Sequence, residues 1–279
     1  MLTSGEPVLD RTCAVWWLTG PPCAGKSATA WEVFAGALVG RPRAFFDVDQ
    51  LGMCYPSPEG GAARAVLKAR AAAEVARHHL AEGAGVVVVS GVLDDGADAL
   101  VREALRGVPV RFCRVRADAA ALRARLLRRY GDDAVDRAVA DARRWDASDL
   151  PAVDTTDLPV AEAARRAVAL LSGLQQAGGA TSHPEGDEDD DEGGGRAVLL
   201  CGAPGVGTST AGFGLASRAW ARGETCAYLD GRQLSFAAGT PGVDAVGGGV
   251  AALVGRLWRT YRAAGAELLV VRAEVRTAA

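Results

Sequence analysis

Short apolar runs alternate with Ala-rich segments of helical periodicity through the first 172 residues. The apolar runs are typical of buried strands, and they lie at residues 14–19, 43–49, 86–90, 109–115 and 151–154. Helices are predicted between and after them, at residues 26–38, 61–82, 97–106, 118–129, 133–146 and 160–172. Because strands alternate with helices, the sequence predicts βαβ units, and therefore an α/β fold with a parallel sheet covered by helices on both faces.

Residues 173–195 break this pattern. The segment is rich in Gly and polar residues, and seven acidic residues without a base fall within 185–192. Low hydrophobicity with concentrated charge cannot offset the cost of ordering a chain. We therefore expect a disordered acidic linker at 173–195, with one domain at 1–172 and a second folded segment at 196–279.

The second segment repeats features of the first. The stretch RAVLLCGAPGVGTSTAGF at 196–213 is similar to VWWLTGPPCAGKSATAWEVF at 15–34. From Gly20 to Asp47 is 27 positions and from Gly202 to Asp230 is 28, and a third matching segment lies 66 positions after each glycine. The matching spacing of these three segments indicates a tandem duplication whose second copy ends after its third strand.

Composition excludes several classes of protein. The chain has 279 residues with a formal charge of −3, which argues against a nucleic-acid binder. No apolar run approaches the roughly 18 residues that a membrane helix needs, and no signal peptide is recognised. Six scattered cysteines support neither a zinc site nor a disulfide framework, so we expect free thiols and a cytoplasmic location.

A glycine-rich segment between the first strand and the first helix fits the pattern GxxxxGK[ST]. In such a loop, backbone N–H groups surround phosphate oxygens, the lysine reaches the β- and γ-phosphates, and the hydroxyl ligates Mg²⁺. The chain holds 29 Arg and only two Lys, and one of those two, Lys26, occupies the lysine position of the pattern. The predicted nucleotide-binding residues are Gly20, Pro21, Pro22, Cys23, Ala24, Gly25, Lys26, Ser27 and Ala28.

Residues 12–172 resemble the P-loop small-molecule kinases, which include nucleoside monophosphate, shikimate, gluconate and adenylylsulfate kinases and chloramphenicol phosphotransferase. The resemblance rests on GPPCAGKS at 20–27, DVD at 47–49 and RLLRR at 125–129. It implies a P-loop NTPase fold, a three-layer αβα sandwich with a parallel five-stranded sheet. It also implies ATP and Mg²⁺ as cofactors, a small-molecule acceptor, and a lid after the fourth strand.

The resemblance also implies catalytic roles. Asp47 would orient the acceptor hydroxyl and hold Mg²⁺ together with Ser27, and strand alternation would point Asp49 the same way. Arg125 and Arg129, one helical turn apart, would stabilise the charge of the transferred phosphoryl group. Solvated carboxylates and a solvated arginine face are the simpler alternatives for these positions.

Two departures weigh against simple phosphoryl transfer. The third strand ends in Ser90 where these kinases are expected to place an acid, so either Asp94 or Asp95 supplies the acid or Asp47 holds the metal alone. The second glycine-rich loop has Thr208 in the lysine position, so the second copy should be catalytically dead and should pack on the first domain or mediate self-association. A nucleotide-binding regulatory ATPase module is therefore the alternative to a kinase; a polynucleotide kinase would need a basic groove that the sequence does not show.

Overall fold

A computed structural model of the chain describes residues 14–57, 61–93, 96–131, 135–173, 194–240 and 248–274. Nearly all of the predicted acidic linker at 173–195 lies outside the described residues, as do Asp94 and Asp95. No helix within these ranges is long and apolar enough to cross a membrane.

The N-terminal half alternates strands and helices as the apolar pattern predicts. Its strands are β1 (Ala14–Thr19), β2 (Arg43–Asp47), β3 (Cys54–Tyr55), β4 (Val86–Ser90), β5 (Val110–Arg116) and β6 (Ala152–Asp154). Its helices are α1 (Lys26–Glu32), which continues as a π-helical turn at Val33–Ala37, α2 (Val48–Leu51), α3 (Gly61–Ala81), α4 (Ala97–Ala104), α5 (Ala119–Tyr130), α6 (Val135–Trp145) and α7 (Val160–Gly173).

The main sheet has the strand order β6-β5-β1-β4-β2-β9, in which the strands from β6 to β2 are parallel. Strand β1 is buried on both faces because helices cover the sheet from both sides. Its residues Val15 and Trp17 pack towards α3 and α4, whereas Trp16 and Leu18 pack towards α1 and α7. The predicted α/β fold with a parallel sheet between two helical layers is confirmed.

The C-terminal half contains β7 (Arg196–Gly202), α8 (Thr208–Ala221), β8 (Cys226–Asp230), β9 (Ala237–Ala238), α9 (Gly248–Ala263) and β10 (Leu268–Glu274). A second sheet has the order β3-β8-β10-β7, with β8, β10 and β7 parallel. The first three parallel strands of the N-terminal half stand in the matching order β2-β4-β1. The duplication itself stays a prediction from the sequence.

The structure departs from the sequence predictions at three short elements. The strand predicted at 43–49 ends at Asp47, where α2 begins. Strand β3 was not predicted, and neither was β9, which adds an antiparallel sixth strand from the C-terminal half to the expected five. All three contain four residues or fewer, so they carry no periodic signal of their own.

Candidate functional site

A tight loop joins β1 to α1 at the carboxyl end of the main sheet. Gly20 opens it with φ +141°, and a Cβ there would lie 2.1 Å from the Val115 carbonyl oxygen. Gly25, with φ 96°, precedes the first residue of α1, and no side chain caps that helix. The first-turn N–H groups of α1 therefore remain available to an anion. Cys23, within the loop, has φ 61°, and no other non-glycine residue of the described segments has a positive φ.

Lys26 is held inside this loop. Its side chain is buried, with 7% of the residue exposed, and Nζ donates a hydrogen bond to the Pro21 carbonyl at 2.8 Å. Burial lowers the pKa of Lys26 to about 8, while the carboxylates of Asp49 and Asp47 act in the opposite direction. A buried ammonium with a single carbonyl partner can turn to a phosphate oxygen without first being stripped of water.

Three oxygen-bearing side chains meet beside the loop. Asp47 ends β2, and in the parallel register its partner on β4 is Ser90. The Asp47 Oδ2 atom accepts hydrogen bonds from Ser27 Oγ at 3.0 Å and from Ser90 Oγ at 2.9 Å, and the two hydroxyl oxygens are 3.1 Å apart. Burial, and next the nearby Asp49 carboxylate, raise the pKa of Asp47, whereas its hydrogen bonds lower it.

This oxygen cluster fits a bound Mg²⁺ with ATP. A hydroxyl and a carboxylate are hard oxygen donors, and Mg²⁺ is usually bound by one or two carboxylates together with substrate phosphates and water. A bound cation would also offset the energetic cost of burying the negative charge of Asp47. No group of three or more His, Cys, Asp or Glu side chains in the described segments forms a site that could hold a metal without phosphate.

Asp49 lies beyond the end of β2, so strand alternation does not set the direction of its side chain, and its predicted catalytic role stays a prediction. It lies in the first turn of α2, where its N–H donates to Asp47 Oδ1 at 2.9 Å. Its carboxylate binds Lys68 Nζ at 2.6 Å and accepts a hydrogen bond from the Val92 N–H at 3.3 Å. The Lys68 side chain is 11% exposed and that of Asp49 is 38% exposed. The cation of this pair is therefore buried, whereas the carboxylate is partly accessible to solvent.

Residues 15–148, just under half of the chain, match the family model described as an AAA domain. This segment is similar to that family. The match confirms the P-loop resemblance for the N-terminal half, and it does not extend to the second glycine-rich loop. A comparison with curated proteins gives no match.

Several solved structures are similar to the chain at low identity. A sugar kinase from Janibacter sp. HTCC2649 is 17% identical, with 57% of this chain and 94% of that chain covered and a TM-score of 0.43. The tunicamycin resistance protein of Deinococcus radiodurans is 21% identical over 60% and 99%, with a TM-score of 0.44. The APS kinase of Mycobacterium tuberculosis, in complex with AMPPNP and APS, is 18% identical over 58% and 99%, with a TM-score of 0.41.

Arg125 and Arg129, the two arginines that the resemblance assigns to the phosphoryl group, have different surroundings on α5. Arg125 donates to Thr155 Oγ1 at 3.0 Å and to the Thr155 carbonyl at 2.8 Å. The Thr155 hydroxyl in turn donates to the Ala24 carbonyl at 2.7 Å, so Thr155 connects Arg125 with the loop between β1 and α1. Arg129 is exposed, with its guanidinium carbon 5.3 Å from the centroid of the Tyr130 ring. In this structure neither arginine joins the oxygen cluster, and their role over the phosphoryl group stays a prediction.

The second glycine-rich loop has the same backbone shape but different chemistry. Gly207 precedes α8 with φ 90°, as Gly25 precedes α1. Thr208 stands in the lysine position, and Arg272 of β10 stands in the position of Ser90. The Arg272 guanidinium bonds Asp230 at 3.1 Å and Thr208 Oγ1 at 3.4 Å. A buried internal cation therefore contacts the carboxylate that corresponds to Asp47.

Two residues of the site are not evident from the sequence pattern. Lys68 lies on a long helix where a charged surface is the ordinary expectation, but it is buried against Asp49. The rarity of lysine in an Arg-rich chain is a signal that applies to Lys68 as well as to Lys26. Thr155, which joins Arg125 to the loop, gives no signal beyond its place at the carboxyl end of β6.

Proposed function

We propose that the P-loop domain is an ATP- and Mg²⁺-dependent phosphotransferase that acts on a small molecule. The observation that carries the proposal is the contact of Ser27 and Ser90 with Asp47 directly beside the buried Lys26. Phosphoryl transfer depends mainly on positioning and on stabilising charge, and this cluster offers a cation, backbone N–H groups and hard oxygen ligands at one place.

The residues of the loop would hold the nucleotide. The loop N–H groups and Lys26 would bind the phosphates, and Ser27 with Asp47 would hold Mg²⁺. The bound ion would neutralise charge that develops on the phosphate oxygens. Ser90 would orient the Asp47 carboxylate through its hydrogen bond to Oδ2. We expect the nucleotide-bound Lys26 to exchange the Pro21 carbonyl for a phosphate oxygen.

The acceptor would lie on the side of Asp49. Both carboxylate oxygens of Asp47 are already engaged with Ser27, Ser90 and the Asp49 N–H. Because Asp47 contacts Ser27, the other proposed metal ligand, we assign the metal to Asp47. To Asp49, whose side chain reaches solvent, we assign the orientation of the acceptor hydroxyl. Lys68 Nζ, at 2.6 Å, would hold the Asp49 carboxylate in position.

A regulatory ATPase module without a small acceptor is the second candidate. The observation that favours it is Ser90 at the end of β4, where a hydroxyl stands in place of an acid. Such a module would hydrolyse ATP slowly, with water as the only acceptor. The five cysteines described are free thiols, and a cytoplasmic setting is part of both candidates.

A screen for acceptors separates the two candidates. ADP formation would be measured with Mg-ATP and panels of nucleosides, nucleotides, sugars and antibiotics. The kinase predicts that one class raises the rate at least tenfold and becomes phosphorylated, as mass spectrometry of the acceptor would show. Hydrolysis that no acceptor stimulates, and that survives Asp49→Asn, would support the regulatory module instead.

Two matched substitutions test the assignment of the acids. Asp47→Asn should weaken the apparent affinity for Mg²⁺, because a metal ligand loses its charge. Asp49→Asn should leave Mg-ATP binding within about threefold and reduce transfer to the acceptor by about 10²-fold or more. Asp98→Asn, a partly exposed acid on α4, should change neither quantity. Equal effects of Asp47→Asn and Asp49→Asn on Mg²⁺ affinity would contradict the assignment.

A further inference from the structure

The two halves of the chain exchange short strands reciprocally. Strand β9 of the C-terminal half pairs antiparallel with β2, through Arg43 with Ala238 and Ala44 with Ala237. Strand β3 of the N-terminal half pairs antiparallel with β8. Its pairs are Cys54 with Ala227 and Tyr55 with Cys226. Each of these residues lies 183 positions from its counterpart in the β2–β9 pairing, in the other half of the chain.

Hydrogen bonds next to these strands show the same reciprocity. The Phe45 N–H donates to the Phe236 carbonyl at 2.8 Å, and the Tyr228 N–H donates to the Met53 carbonyl at 2.8 Å. Phe45 and Tyr228 are 183 positions apart, and so are Met53 and Phe236. An interface in which residue i of one part meets j of the other, and j meets i, is the mark of a two-fold axis.

Helices α3 and α9 pack on each other near this axis. An ion pair joins Glu74 of α3 to Arg256 of α9, with 3.1 Å between Oε2 and Nε, and these positions are 182 residues apart. They are therefore equivalent positions that face one another. Two copies of the N-terminal half would place Glu against Glu there, whereas the two different halves place Glu against Arg.

The C-terminal half also contacts the chain that follows Asp49. The fully buried Tyr261 of α9 donates its hydroxyl to the Leu51 carbonyl at 2.9 Å. The next residue, Gly52, lies against the aliphatic stem of Lys68, since a Cβ at Gly52 would be 2.8 Å from that stem. Lys68 then binds Asp49. A short series of contacts thus connects α9 with the acid on the acceptor side.

We propose that residues 196–240 and 248–274 act as a built-in partner subunit, which fixes segment 51–55 and thereby the Asp49–Lys68 pair of the N-terminal site. Tyr261 is a positioning residue in this arrangement. That the Asp49–Lys68 pair matters for function rests on the proposed phosphotransferase activity. That the C-terminal half positions the pair does not depend on that activity. Without β8, β3 would lose its pairing strand, and without Tyr261 the buried Leu51 carbonyl would lose its side-chain partner.

The two lysines of the chain permit a direct test. Lys68 and Lys26 are both buried and contact different partners, Asp49 and the Pro21 carbonyl, so their rates of acetylation in the full-length protein can be compared within one sample by peptide mass spectrometry. Tyr261→Phe should raise the rate of Lys68 at least fivefold and leave that of Lys26 within twofold. Tyr130→Phe, at an exposed tyrosine, should change neither rate. Asp49→Asn removes the partner of Lys68 directly and should raise the Lys68 rate by at least as much as Tyr261→Phe.

Three results of this experiment would contradict the positioning of Lys68 by Tyr261. An unchanged Lys68 rate in Tyr261→Phe would overturn the proposal, because Tyr261 would then not position Lys68. An equal rise at both lysines would also overturn it, because that result indicates a loss of stability throughout the protein. An unchanged Lys68 rate in Asp49→Asn would overturn it as well. Protection of Lys26 by added Mg-ATP tests the proposed function separately, so the two can fail independently.

Discussion

At the scale of single residues, charge is arranged differently around the two glycine-rich loops. In the first, both lysines of the chain are buried close to Asp47 and Asp49, and Lys26 has only a carbonyl as hydrogen-bond partner. In the second, Arg272 is paired with Asp230. A cation that can turn to a ligand is suited to binding phosphate, whereas a cation bound to an internal carboxylate is suited to holding the fold together.

His79 on α3 gives a prediction for the dependence of stability on pH. The residue is 3% exposed, its Nε2 has no hydrogen-bond partner, and burial, followed by the charge of His78, lowers its pKa to about 4. The unfolded chain, with a pKa near 6.5, binds more protons between those values, so stability falls as the pH decreases from 6.5 to 4. The loss from His79 should be about 3 kcal/mol.

Urea unfolding at pH 7 and pH 4 measures this loss. His79→Phe keeps an aromatic side chain without a titrating group, so its stability should decline less than that of the wild type by about 3 kcal/mol. His78→Phe, at a half-buried neighbour, should retain most of the decline. Identical declines for wild type and His79→Phe would show that His79 does not carry the acid sensitivity.

At the scale of secondary structure, the turn from β2 into α2 sets the positions of the two acids. Asp47 caps α2 by accepting the Asp49 N–H, and Gly91, directly after β4, lies against this turn. Gly91 has φ +150°, and a Cβ there would approach Val48 Cγ1 to 2.2 Å. The glycine is therefore needed both for its backbone conformation and for the space that it leaves to α2.

Gly91→Ala and Gly96→Ala separate these two requirements. Gly96 also has a positive φ of 76°, but a Cβ at Gly96 would meet no atom within 4 Å. Its substitution therefore costs only the backbone contribution of about 1–2 kcal/mol. Gly91→Ala should cost about 1–3 kcal/mol more because of the steric clash. Equal losses of unfolding free energy in urea would contradict the packing of Gly91 on α2.

The long elements are predictable from the sequence, whereas the short elements α2, β3 and β9 are not. The apolar runs give β1 and β4 with their observed limits, and the loop motif gives the position of Lys26 and Ser27. The site, however, depends on α2, which begins inside the strand predicted at 43–49 and whose first turn is capped by the Asp47 side chain. Strand β9 forms through pairing with β2, far away in sequence, which a local pattern cannot indicate.

At the scale of the whole molecule, the two halves share one hydrophobic core. Leu253 and Leu257 of α9 are fully buried in the same cluster as Phe46 and Val75 of the N-terminal half. A partial domain of three parallel strands would bury little surface by itself. Its apolar face is instead covered by α3, so both halves contribute to the stability of the chain.

The Glu74–Arg256 pair allows the packing of the halves to be tested by charge reversal. Glu74→Arg or Arg256→Glu alone places like charges together and should lower the unfolding free energy by up to about 1 kcal/mol, since both side chains are about one-third exposed to solvent. The double variant restores opposite charges and should recover most of the loss. The exposed Glu103–Arg106 pair serves as the control, and its reversal should have no measurable effect. Additive losses in the double variant would contradict the packing of α3 on α9.

The central claim is that the first loop, with Lys26, is the nucleotide site of this chain. Calorimetric titration of the full-length protein with Mg-ATP tests it most directly, with Lys26→Ala and Thr208→Ala as matched variants of the two loops. We expect one Mg-ATP per chain, an affinity at least about 100-fold weaker in Lys26→Ala, and an affinity within about twofold of wild type in Thr208→Ala. Binding that survives Lys26→Ala and is lost in Thr208→Ala would contradict the claim.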